Sequence, residues 1–217
     1  MTATTVPVPT TLAARARLGA VGGVLWALFP LAFGLVSLEE TEFGTPAFFA
    51  VAASYWLFGV LPPLLLVVGH RALRDALGDT AGKVGRTGLV LAAVGLLAMA
   101  VGNGIEVASM SVGGGEVGFG HGVFLIGFLV SIVGGVLLGI VVIRNRADAL
   151  ARAAGLVLAL ALPFGIGLGI LGSAVDPGND GWFFAVITVP TGVAWVLLGT
   201  ALRSARRPVA AGFATAR

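Results

Sequence analysis

Six long apolar runs divide the chain, at residues 18–38, 47–69, 87–112, 118–143, 153–175 and 182–202. Each approaches the roughly 20 residues that an α-helix needs to cross a hydrocarbon core about 30 Å thick. They are too long and too evenly hydrophobic for the core helices of a soluble domain. The stretches between them are too short for a second domain. The pattern predicts an all-α polytopic membrane protein with six transmembrane helices in one domain over 18–202. A disordered cytoplasmic tail, rich in Thr, Ala and Pro, is expected over 1–17, and a basic cytoplasmic tail over 203–217. The first apolar run, Leu18–Leu38, exceeds the 7–15 residues of a signal-peptide core and reads as an uncleaved helix.

Charge gives the pattern a direction. The basic residues are Arg15 and Arg17 before the first run, then Arg71, Arg74, Lys83 and Arg86 between the second and third. Arg144, Arg146 and Arg152 follow between the fourth and fifth, and Arg203, Arg206, Arg207 and Arg217 after the sixth. The alternate connections hold Glu39, Glu40, Glu42, Glu116, Asp176 and Asp180 and no basic residue. Short loops rich in Lys and Arg stay cytoplasmic. The helices are therefore expected as three antiparallel hairpins with both termini in the cytoplasm of a cell-membrane protein. The hairpins start at Arg17, Arg86 and Arg152, and Phe48-Phe49-Ala50-Val51 is echoed by Phe183-Phe184-Ala185-Val186. Such spacing is what a triplicated hairpin would leave.

Composition narrows the chemistry. Hydrophobic residues make up 58% of the chain and charged ones 11%, about half the usual charged share. The net charge of +3 follows from the inner loops and does not indicate nucleic-acid binding. There is no cysteine, which removes disulfides, thiolate catalysis and Cys-ligated metal. His70 and His121 fall on opposite sides of the bilayer, excluding a haem held between two histidines. The single lysine, Lys83, lies in a loop, excluding a retinal Schiff base. Neither a P-loop nor a nucleophile elbow is present. No cofactor and no metal are expected. A zinc site would have to use Glu106, Glu116 and His121, whose spacing matches no known motif.

Glycine is abundant, at 34 of 217 residues. In lipid, apolar burial does not drive helices together, so close packing through small residues must do so. The sequence offers ladders at Gly114, Gly118 and Gly122 and at Gly165, Gly169 and Ser173, with pairs at Gly19/Gly23 and Gly135/Gly139. Pro30, Pro62, Pro63, Pro163 and Pro190 lie within helices one, two, five and six, where each removes a backbone donor. The middle hairpin has no proline but carries the most polar intramembrane residues.

Those residues are the candidate ligand-binding set: Asn103, Glu106, Ser109 and His121. Asn103, Glu106 and Ser109 follow i, i+3 steps on the third helix. Glu106 lies about 30 Å of helical rise beyond Arg86, near the outer edge of the hydrocarbon. His121 opens the fourth helix on the same side. An intramembrane carboxylate faces the bundle interior or a wet cavity. A site with no basic residue in its leaflet should favour a small cation, a proton or a neutral polar or amphipathic ligand over an anion. The competing expectation is an accessory subunit whose glycine-rich faces pack against a second copy or another membrane protein.

The remaining polar residues read as surface features. Glu39, Glu40 and Glu42 form a solvated outer loop, and His70 beside Arg71 is expected to meet lipid headgroups. Arg203, Arg206 and Arg207 should attract anionic lipid at about 1 kcal/mol each. Trp26, Tyr55, Trp56, Trp182 and Trp195 read as packing or interface aromatics.

Overall fold

The computed structural model describes residues 5–6, 9–35, 41–113, 117–145, 148–175, 181–204 and 207–208. The helices are α1 (Thr10–Leu35), α2 (Pro46–Tyr55), α3 (Leu61–Leu77), α4 (Gly82–Ser111), α5 (Gly118–Asn145), α6 (Ala149–Val175) and α7 (Gly181–Ser204). A π-helical turn, Trp56–Val60, joins α2 to α3, and a 3₁₀ turn, Gly78–Ala81, joins α3 to α4. Apart from a two-residue antiparallel contact between Thr5–Val6 and Arg207–Pro208, every described element is helical.

Five helical stretches among the described residues are long and apolar enough to cross a membrane, and they mark a membrane protein. One of them, Pro46–Ser111, runs for 66 residues. It folds back on itself where Gly78 and Gly82 take φ of 52° and 59°, a region that only glycine adopts without strain. The reversal lays Trp56 beside Gly104 and buries Phe48 with Val107. Local chemistry marks other helix starts. Thr45 caps α2 through Phe48 N–H to its Oγ1 (3.2 Å), ahead of Pro46 in the first turn. Asp148 caps α6 through Ala151 N–H to its Oδ2 (3.0 Å).

Two helices outrun their apolar segments. α1 begins at Thr10 rather than Leu18, which shortens the tail expected over 1–17. Leu12 and Ala16 are buried, and Arg15 reaches Asp75 of α3 at 2.8 Å. α3 continues to Leu77 because Ala72, Leu73 and Leu77 stay buried while Arg71 and Arg74 point outward. In both, an amphipathic turn extends an apolar rod beyond the point where hydropathy alone would stop it.

The rods close into a ring in the order α1, α2–α3, α4, α5, α6, α7 and back to α1. Ala16 packs near Gly199 and Gly23 near Gly192, so α1 and α7 are antiparallel and the chain's two ends share one end of the bundle. The outside is apolar: Val90, Val94, Leu97, Val101 and Ile105 form an exposed stripe along α4 at helical spacing.

Glycine brings the rods together, but not at the ladder expected on the fourth helix. Gly118 and Gly122 face open space, and Gly114 lies outside the described residues. The close contact uses two runs spaced by seven, Gly88, Gly95 and Gly102 on α4 and Gly120, Gly127 and Gly134 on α5. A Cβ at Gly95 would stand 2.6 Å from the Gly127 carbonyl oxygen, and one at Gly127 2.7 Å from that of Gly95. Gly118 and Gly122 miss because they lie about 200° of azimuth from Gly120, which makes the contact. The pairs expected at Gly19/Gly23 and Gly135/Gly139 do meet neighbouring helices within the chain, and Gly165 receives Ile187.

Pro30, Pro163 and Pro190 are accommodated inside helices. Pro62 and Pro63 instead follow the π turn, where Leu61 N–H bonds the Trp56 carbonyl. Widening that turn relieves the clash each proline ring would make four residues back. It leaves both prolines in the first turn of α3, where no amide is needed.

Gly95→Ala should force α4 and α5 apart and cost about 1–3 kcal/mol or more. Gly122→Ala should be neutral or stabilising by up to about 1 kcal/mol. Thermal melts of the two variants in detergent would compare them, and equal melting points would contradict the assigned contact.

Candidate functional site

The polar residues of the middle hairpin meet because of the glycine contact. Gly102 and Gly120 allow the C-terminal part of α4 and the start of α5 to touch, and a Cβ at Gly120 would lie 2.9 Å from the Gly102 carbonyl oxygen and 3.3 Å from Glu106 N. At this separation the His121 Nδ1 stands 3.4 Å from Glu106 Oε1. The Glu106 side chain is 12% exposed and that of His121 43%. The carboxylate is thus withdrawn from the surface, while the imidazole spans the boundary.

Asn103, one turn deeper on α4, is 4% exposed, and its Nδ2 has no hydrogen-bond partner among the described residues. A buried amide donor of this kind normally finds an acceptor, from protein, water or ligand. Ser109 is half-buried and already partnered. Glu116, Glu39 and Glu40 lie outside the described residues, while Glu42 is exposed and its carbonyl accepts from Thr45 Oγ1 at 2.8 Å.

Beneath the Glu106–His121 pair lies an aromatic layer from three helices. His121 stands 6.4 Å from the Phe124 ring, which neighbours Phe29 (6.4 Å), Phe128 (6.2 Å) and Phe184 (6.1 Å). Trp26 joins it, 5.0 Å from Phe29. The pair therefore has a floor of large apolar side chains, a setting in which a carboxylate is poorly hydrated and a charged partner is worth more than at an open surface.

Below the aromatic layer, on the bundle axis, is a small cavity of about 40 Å³ to which α1, α3, α4, α5, α6 and α7 all contribute. Its polar residues are His70, Ser131 and Thr191, with Trp26 and Trp195 among its walls. This corrects the expectation for His70. It is 5% exposed, packs 4.4 Å from the Trp195 ring, and does not reach headgroups. The signal was present in the sequence, because Leu66, His70, Leu73 and Leu77 share one helical face from which Arg71 is turned away by about 100° or more. The adjacent arginine hid it.

Trp26 and Trp195 are core residues, Tyr55 is buried, and Trp56 is exposed. The side chain of Trp182 lies outside the described residues, as do Arg206 and the side chain of Arg207. Arg203 folds back on α7, donating from Nε to the Gly199 carbonyl at 3.1 Å, where a cation complements the helix C-terminus.

Comparison with protein-family models, with curated proteins and with solved structures returns no match. The site must be read from its own geometry.

An unpartnered buried amide costs about 1–3 kcal/mol, and a similarly shaped apolar side chain removes that cost. Asn103→Leu should therefore raise the melting temperature of the purified protein. A lowered melting point would show that the amide is satisfied in the folded state.

Proposed function

We propose that this chain is a non-enzymatic integral protein of the cell membrane that binds a small cation, or a neutral polar molecule bearing a donor, in an outer-facing pocket between α4 and α5. It crosses the bilayer six times with both termini in the cytoplasm. The observation that carries the binding assignment is the Glu106 carboxylate held 3.4 Å from His121 and withdrawn from the surface over an aromatic floor. A carboxylate in such a place is retained at a cost, and intramembrane ionisable groups of this kind mark ligand or ion sites.

Glu106 is the charge-sensing group and His121 its partner at the mouth. Asn103 offers the unpaired donor to an acceptor on a neutral ligand. The charge bias of the connections supports the topology, since the reversal at Gly78–Ala81 is flanked by Arg74 and Arg86. The accessory-subunit reading is disfavoured by the glycines themselves. Those at the tightest approaches are engaged within the chain and do not face outward.

The absence of cysteine makes the topology directly testable. Val112→Cys should react with a membrane-impermeant maleimide on intact cells, and Asp79→Cys only after permeabilisation. The reverse pattern would invert the assignment. For binding, native mass spectrometry of protein purified with its lipids should detect a small molecule with wild type that is lost in Glu106→Gln. Retention at equal occupancy in the variant would sink the outer-pocket reading.

A further inference from the structure

The axial cavity has an asymmetric hydrogen-bond inventory. His70 Nδ1 lies 2.8 Å from the Leu66 carbonyl oxygen, so in the neutral ring that nitrogen carries the proton and Nε2 is an acceptor. Ser131 Oγ donates to the Phe128 carbonyl at 2.8 Å. Thr191 Oγ1 donates to the Ile187 carbonyl at 2.7 Å and accepts from Trp26 Nε1 at 3.1 Å. The His70 and Thr191 protons go to backbone carbonyls, the Ser131 proton to the Phe128 carbonyl with Met99 Sδ a second acceptor at 3.5 Å, and the Trp26 proton to Thr191. What remains on each cavity-lining group is lone pairs: one nitrogen and two hydroxyl oxygens. No Lys, Arg, Asp or Glu lines the space.

The His70 nitrogen, the Ser131 oxygen and the second lone pair of Thr191 favour a ligand that donates. Water has two O–H donors and would satisfy two of the three acceptors, and an anion, having no donor, would satisfy none. A primary ammonium group has three N–H donors and no acceptor. Trp26, Trp195 and Phe128 also line the cavity, and an aromatic ring that turns its face to a cation attracts it. The volume of about 40 Å³ is that of a few water-sized probes, enough for two or three heavy atoms. An alkyl substituent would lie against Leu96, Ile132 and Leu158.

We propose that the axial cavity is a second binding site, distinct from the outer pocket, which takes ammonium or a small primary alkylammonium through His70, Ser131 and Thr191. Charge-assisted hydrogen bonds to the three acceptors offset the cost of a cation at this depth. The site does not depend on Glu106, so it stands or falls separately from the outer-pocket assignment.

The test uses the full chain in nanodiscs of neutral lipid, titrated with methylammonium chloride while tryptophan emission is followed, since two indoles wall the cavity. Tetramethylammonium chloride, equal in charge but lacking N–H groups, is the control. A saturable response to methylammonium and none to tetramethylammonium is expected. Ser131→Ala removes one acceptor, together with a long contact to Met99 Sδ of α4 (3.5 Å), and should weaken binding about tenfold or more. Thr191→Ser keeps the hydroxyl and should bind within about twofold of wild type. Val90→Ala, on the exposed stripe of α4 and outside both sites, should leave the response unchanged. No saturable response, an equal response to tetramethylammonium, or indifference to Ser131→Ala would each overturn the proposal. Loss of the response in Glu106→Gln alone would relocate methylammonium to the outer pocket and overturn it as well.

Discussion

Backbone-to-backbone contact between α4 and α5 is the constraint on which the rest of the structure depends. Lipid is as apolar as leucine, so burying leucine between two membrane helices gains little. What holds such helices is dispersion between closely apposed surfaces, and that requires residues with nothing in the way. Gly88, Gly95 and Gly102 against Gly120, Gly127 and Gly134 meet the requirement: Gly95 with Gly127 and Gly102 with Gly120 each leave no room for a Cβ beside the partner's carbonyl, and Gly134 lies against the Ala92 backbone. The seven-residue spacing keeps the contact on one seam over the length of both helices. The same device recurs around the ring, at Gly19 with Gly69, Gly23 with Gly192 and Gly139 with Gly155.

The seam also places the chemistry. Because Gly102 and Gly120 touch, Glu106 and His121 are within reach of one another without either side chain having to cross a gap. The interior then alternates along the axis from the Glu106–His121 pair, through the layer of Phe29, Phe124, Phe128 and Phe184, to the small cavity at His70. Polar side chains turn inward because a lipid-facing one would lose its hydrogen bonds, while the valines and leucines of the outer stripe lose nothing by facing lipid. At the π turn before Pro62, the Leu61 N–H reaches the Trp56 carbonyl, and the widened backbone makes room for the two proline rings that follow.

Much of the candidate site was legible in the sequence. Glu106 and His121 sit on consecutive helices joined by a short turn, so counting helical rise from Arg86 places both near one end, and two adjacent helices with short connections must be neighbours. Asn103 follows from Glu106 by helical spacing. The axial cavity was not legible. His70 stands next to an arginine, and hydropathy averages the two, whereas the helix separates them by about 100° of azimuth. Ser131, Thr191 and Trp195 carry no signal in isolation, because they come from helices far apart in the chain and meet only on closure of the ring.

The sequence by itself determined the helical segments, the polarity of their connections and the middle hairpin as the seat of the most polar residues. These are local properties, set by the length of an apolar run and by which side chains lipid rejects. Only the tertiary structure decided which glycines touch, where amphipathic turns extend α1 and α3, and that His70 belongs to the core. Those outcomes depend on the azimuth at which one helix meets another. Azimuth is settled by the sum of contacts around a closed ring, where a seven-residue glycine seam prevails over a four-residue ladder that points elsewhere.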